Sequence, residues 1–235
     1  MQTRLSHQCL GEVDVVRRRN SSRFSACWRG GRVRVTGPFY ASDGQFVKAL
    51  DSLAPRLLRS RDALPDIPLG ESDIVLDGLT IAVGRQSLHP RSVVLSPALP
   101  VAGVSVGCDI DLGTAAGRDL FIRSVRAVAR KLAPQILLPR AREIAHELGC
   151  EPSGWSISRG STVLGKCFRS GHISLSEMCV FLSARLRDYI VCHELAHLTH
   201  MDHSESFHRL LDTYLGGEER HLVNELKNYR WPIPR

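Results

Sequence analysis

The pentad His193-Glu194-Leu195-Ala196-His197, framed by Ile190, Val191 and Leu198, constrains this chain more than any other stretch. Its surroundings favour an α-helix, and an i, i+4 spacing advances about 400° around one, so both imidazoles leave the same face one turn apart. Nitrogens so placed bind a single Zn²⁺ at about 2.0–2.1 Å each. Glu194 follows the first histidine directly and points off the metal axis, where a carboxylate takes a proton from water instead of ligating. The apolar neighbours must be buried, so the fold has to build a core around this helix.

A catalytic zinc has three protein ligands and one open position. His203 is the expected third: it lies six residues past His197, the gap of the HExxHxxxxxH pattern, in which a mid-gap glycine turns the chain back. Here His200 stands at that position. The turn then falls to Met201-Asp202, where aspartate tolerates the left-handed conformation. His200 is the alternative ligand, seven residues from His193 and about 10 Å along a continued helix. Ser204 or Ser206 begins a second helix that turns Phe207, Leu210, Leu211 and Leu215 inward.

The charge is +7 at pH 7, which favours an anionic partner. The surplus is local, for Arg4, Arg17, Arg18, Arg19, Arg23, Arg29, Arg32 and Arg34 all precede residue 40, against Glu12 and Asp14. Interleaved with Phe24 and Trp28, these arginines offer a face for weak nucleic-acid contact, although strands of period two also need polar residues outside. Seven cysteines without a CxxC pair point to free thiols in a reducing, cytoplasmic setting. No early apolar run resembles a signal peptide, and no window reaches the length of a membrane span.

The chain is expected to be α+β. Strands are expected at Glu12–Val16, Phe24–Trp28 and Val33–Thr36, with turns at 20–22 and at Gly30-Gly31. A helix follows to about Arg61, kinked or split at Pro55. Further strands at Ile74–Leu76, Leu79–Val83, Ser92–Leu95 and Val101–Val106 include an Asp77-Gly78 hairpin. Helices at 115–132, ended by Pro134, and at 139–148 come next. No internal repeat is evident. The expected division is a β-rich region with helices, 1–110, and a zincin-like domain, 111–235, whose metal helix lies beside a small sheet; the composition shift near Gly149–Ser153 is a candidate boundary between the β-rich half and the half that carries the chemistry.

The run His193-Glu-Leu-Ala-His-Leu-Thr-His-Met-Asp-His-Ser-Glu-Ser-Phe207 resembles the HELxHLxHxxHSxxF signature of the YgjP-like metallopeptidases, relatives of the SprT-like zincins. Gly165-Lys166-Cys167 resembles that family's Trp-Gly-Ser-Cys segment, and His172–Ser176 its Ile-x-Leu-Asn strand. Leu164, Lys166 and His208 depart from the family's Trp, Ser and Trp. The resemblance implies a peptide or protein substrate, added by β-pairing to an edge strand at His172–Leu175.

The leading expectation is a zinc-dependent metallopeptidase with His193, His197 and His203 as ligands and Glu194 as general base. Hydrolysis of phosphoanhydrides at the same metal, as in a nucleotide pyrophosphatase, is the alternative that the resemblance brings, although no Gly-rich phosphate cradle is present. A basic nucleic-acid-binding protein with a structural metal is the third. Tyr189, Tyr214 and Arg187 are candidates to stabilise an oxyanion. Cys192 and Cys167 read as buried thiols, and His172, His208 and His221 as surface histidines.

Overall fold

The computed structural model describes residues 2–29, 32–62 and 72–234. Its contacts form two compact units, residues 1–67 with 111–120, and residues 68–110 with 121–235. The turn expected at Gly30-Gly31 lies outside the described residues.

In the first unit, β1 (Gln2–His7), β2 (Gly11–Arg18), β3 (Ser25–Arg29) and β4 (Arg32–Pro38) form a sheet of order β1-β2-β4-β3, and α1 (Asp43–Asp62) follows. Alternation sends Val13, Val15, Val33 and Val35 to one face, where they meet Phe46, Leu50, Ala54 and Leu57 of α1 in a single apolar cluster. Helix α1 continues through Pro55 instead of splitting. Gly37 lets two rings close over β4, since a Cβ there would lie 2.5 Å from Phe24 and 2.8 Å from Phe46.

The second unit repeats this plan. Its strands β5 (Ile74–Leu76), β6 (Leu79–Gln86), β7 (Val93–Ser96) and β8 (Val101–Gly107) have the order β5-β6-β8-β7. Each sheet opens with an antiparallel hairpin, has a parallel inner pair and adds its third strand antiparallel at the far edge. Each is also followed by a helix. The chain therefore contains a topological repeat where its sequence shows none. Equivalent register pairs, Val13 with Val33 and Ile81 with Ala102, keep only apolar character. One literal trace remains: Leu53-Ala54-Pro55 of α1 recurs as Leu132-Ala133-Pro134 after β8, with both alanines buried.

Helix α2 (Ala115–Glu147) runs unbroken through Pro134 and Pro139, where two helices were expected. Each proline removes one backbone hydrogen bond and costs about 3 kcal/mol. Against that, Val125, Val128, Ala129, Leu132, Ala133, Leu137, Ala141 and Ile144 bury one continuous stripe across both prolines. At about 0.8 kcal/mol per buried CH₂, that stripe outweighs the lost bonds.

A three-stranded sheet then forms from β9 (Gly154–Ser158), β10 (Gly165–Cys167) and β11 (His172–Ser176), in the order β10-β11-β9. The strand expected at the edge, β11, is therefore central; it pairs antiparallel with β10 and parallel with β9. Its residues Ile173 and Leu175 are buried, as a strand flanked on both sides requires. A 3-10 turn, Glu177–Phe181, leads into α3 (Ala184–Ala196), which Ser183 caps by accepting the Leu186 N–H. Helices α4 (Glu205–Tyr214) and α5 (Glu219–Lys227) pack on α3. Mixed α+β structure with five α-helices and three sheets is what the described residues show. No helix among them is long and apolar enough to cross a membrane.

Candidate metal centre

Helix α3 delivers His193 and Glu194 from its last turn and ends at Ala196, so His197 is the residue that caps its C-terminus. The next residues close tight turns: the His200 N–H donates to the Ala196 carbonyl at 3.0 Å. Asp202 then accepts the Ser204 N–H at 3.4 Å, and Ser204 accepts the Phe207 N–H to start α4. The left-handed conformation expected at Met201-Asp202 is not used, for the described residues with positive φ are all glycines. Side-chain acceptance at Asp202 makes the reversal instead.

This path brings three histidines together. One nitrogen from each of His193, His197 and His203 lies within 4.8 Å of the others. The Nε2 atoms of His193 and His203 are 3.3 Å apart. His200 is not in the cluster; its carbonyl accepts a 2.9 Å hydrogen bond from Nδ1 of His197. That bond fixes the tautomer, because a carbonyl only accepts, and leaves Nε2 of His197 with a free lone pair. Nδ1 of His193 is buried without a partner among the described residues, so this imidazole is engaged through its Nε2 side alone.

Phe207, fully buried, backs all three rings. Its centroid is 4.5 Å from that of His197, stacked, and 5.0 and 4.9 Å from those of His193 and His203. Burial first, then the neighbouring imidazoles, lowers the His193 pKa to about 4. Burial also lowers that of His197. Three imidazoles brought this close form a donor set suited to a divalent cation.

Glu194 is 5% exposed, and burial raises its carboxyl pKa to about 7 against a smaller downward pull from the Cys167 backbone. Strand β10 crosses directly above it. A Cβ on Gly165 would lie 2.4 Å from Oε1 of Glu194 and 2.6 Å from its Cγ, so only glycine admits this carboxylate. Sequence reasoning placed Gly165 in a family-like segment without seeing that function; a glycine of ordinary φ on a strand hints at close approach but does not name the neighbour. We expect Gly165→Ala to displace Glu194 and lower kcat/KM about 10²-fold, with metal content unchanged by elemental analysis.

The cavity at this centre is about 240 Å³ and is lined by Gly165, Lys166, Cys167, His193, Glu194, His197, Met201 and His203. None of the oxyanion candidates lines it. Tyr189 is buried, Tyr214 contacts the Cys150 thiol at 3.5 Å, and Arg187 donates to the Asp77 carbonyl at 2.8 Å. His172 bonds Ser156 at 2.8 Å, and His208 bonds Glu219 at 2.6 Å. Cys192 and Cys167 are buried, and burial raises both thiol pKa values, that of Cys192 to about 12. Neither is an activated nucleophile. Several N-terminal arginines are engaged within their own unit: Arg17 pairs with Asp43 and sits over the Phe46 ring, Arg19 lies over Phe39, and Arg4 is 3.8 Å from Asp14.

A family model described as YgjP-like, metallopeptidase domain, matches residues 28–229. Among solved structures, the metallopeptidase zymogen of Pyrococcus abyssi abylysin is similar over 42% of this chain and 100% of its own, at 24% identity and a TM-score of 0.35. No curated protein matches.

Proposed function

The chain belongs to the YgjP-like metallopeptidase family, and on that premise we propose that it is a zinc-dependent hydrolase of peptide bonds, with Glu194 as general base. The observation that carries this reading is the convergence of the His193, His197 and His203 nitrogens beside a buried carboxylate. These three imidazoles would hold Zn²⁺. When bound, the ion supplies a Lewis acid for the scissile carbonyl and acidifies water.

The protein's own groups do the rest. The His200 carbonyl holds His197 in the ligating tautomer, and Phe207 holds all three rings in place. Burial makes Glu194 a stronger base than an exposed carboxylate, with a pKa near working pH. It takes the proton of the attacking water and returns it to the departing amine nitrogen. β10 lies at the edge of its sheet and lines the cavity, so an extended substrate would pair with it.

Hydrolysis of unstructured peptides with added Zn²⁺, set beside turnover of nucleoside triphosphates, tests the proposal. Peptide cleavage abolished by a chelator supports it; phosphate release without peptide cleavage refutes it. His193→Ala, His197→Ala and His203→Ala are each expected to lose stoichiometric zinc by elemental analysis, with activity falling to background. Full zinc occupancy in any of the three would remove that residue from the ligand set.

A further inference from the structure

Lys166 is the one lysine or arginine among the described residues that line the metal cavity, and it stands on the edge strand. Alternation along β10 sets its direction. Gly165 faces Glu194, Cys167 is buried on the same side, and their register partners Leu175 and Ile173 are buried too. Lys166, paired with Ser174, therefore leaves the sheet on the opposite face, and it is exposed. Phe168, two residues on and 39% exposed, lies on that face as well, with the Lys166 ammonium 4.7 Å from its ring centroid. The cation–π contact holds the ammonium near the strand instead of letting it trail into solvent. His172 closes the patch, its ring 6.0 Å from that of Phe168 and tied to Ser156. No carboxylate of this chain is paired with Lys166 among the described ion pairs.

We propose that Lys166 is a specificity determinant that selects an acidic side chain, Asp or Glu, at the substrate position lying opposite it on β10. This rests on the peptidase reading above and names the class of peptide it serves. An extended peptide that continues the sheet beyond β10 places every second side chain on the Lys166 face, and directly opposed side chains on paired strands lie about 4.5–5.5 Å apart. Opposite charges at that distance attract, and a second cation there is repelled. The ring of Phe168 presents an apolar floor under the pair.

An edge lysine also guards a strand against pairing with its own kind. Charge reversal separates that role from substrate selection. The full-length, zinc-loaded protein would be assayed on extended peptides that carry Asp, Gln or Lys at each position in turn. At one position, Asp peptides are expected to exceed Lys peptides about three- to tenfold in kcat/KM at low ionic strength, a margin that shrinks as salt rises. Lys166→Glu reverses the order at that position with zinc content unchanged, and Lys166→Arg keeps it. An unchanged order in Lys166→Glu, or no charge preference in the wild type, overturns the assignment and leaves the peptidase reading intact. Absence of any peptide cleavage by the wild type overturns both.

Discussion

Glu194→Gln lowers kcat/KM by about 10²–10⁴-fold, the contribution of a well-placed general base, and leaves zinc content at wild-type level. The substitution keeps volume and shape in a site where the side chain is 5% exposed, so repacking does not confuse the result. It removes the carboxylate that stands beside the triad and beneath Gly165. Zinc occupancy, thermal melting and steady-state peptide hydrolysis measured on the same preparation separate the roles. A variant with full zinc and wild-type kcat/KM would dismiss Glu194 as the base; loss of zinc would make it a structural member of the site.

The second large effect concerns how the metal helix is held. Glu177, in the turn between β11 and α3, has no solvent exposure and is bonded by Arg126 and Arg130 of α2, with 3.1 Å contacts from the Nη2 atoms of both. The pair ties the segment that launches α3 to the long helix. Replacing both arginines by Met strands a buried carboxylate, and breaking a buried pair in this sense costs about 3–5 kcal/mol. For a unit of this size that lowers Tm by roughly 10 °C. The triple variant Arg126→Met, Arg130→Met, Glu177→Leu is expected to recover most of the loss, because an apolar replacement of a buried ion pair leaves no charge uncompensated. Urea denaturation compares the three proteins. A double variant within about 1 kcal/mol of wild type would show that water or another group reaches Glu177.

What a sequence reveals of its fold depends on the range of each signal. His193, His197 and Glu194 were legible because ligand spacing on one helical turn is a local property. His203 was legible because a six-residue gap limits how the chain can return. The Asp77-Gly78 hairpin was read correctly for the same reason, its positive φ at glycine being a demand of the turn itself. The path between His197 and His203 was not. It depends on a carbonyl at His200 and a side-chain acceptor at Asp202, and residue type at those positions does not reveal which atom will be used.

Distant parts of the chain decide the larger departures from local signals. Two prolines signalled two helices after residue 115, yet a continuous buried stripe makes one. β11 is central, not at the edge, because β9 and β10, from either side of it in space, both pair with it. The repeated four-stranded plan leaves little trace in the sequence because burial selects for apolar volume, and volume can be filled by Val in one copy and by Ile or Ala in the other.

The sequence by itself determined the α+β class and singled out His193, His197 and His203 as candidate ligands with Glu194 as the candidate base, since these follow from periodicities of a few residues. Only the tertiary structure decided that Gly165 makes room for Glu194, that Phe207 backs the three imidazoles, that an Arg126–Glu177–Arg130 cluster anchors the metal helix, and that Lys166 stands on the open edge. Gly165 is 29 residues from Glu194, and Glu177 is 51 and 47 residues from its two arginines; such placements are set by packing around the whole core, which no short window of sequence contains.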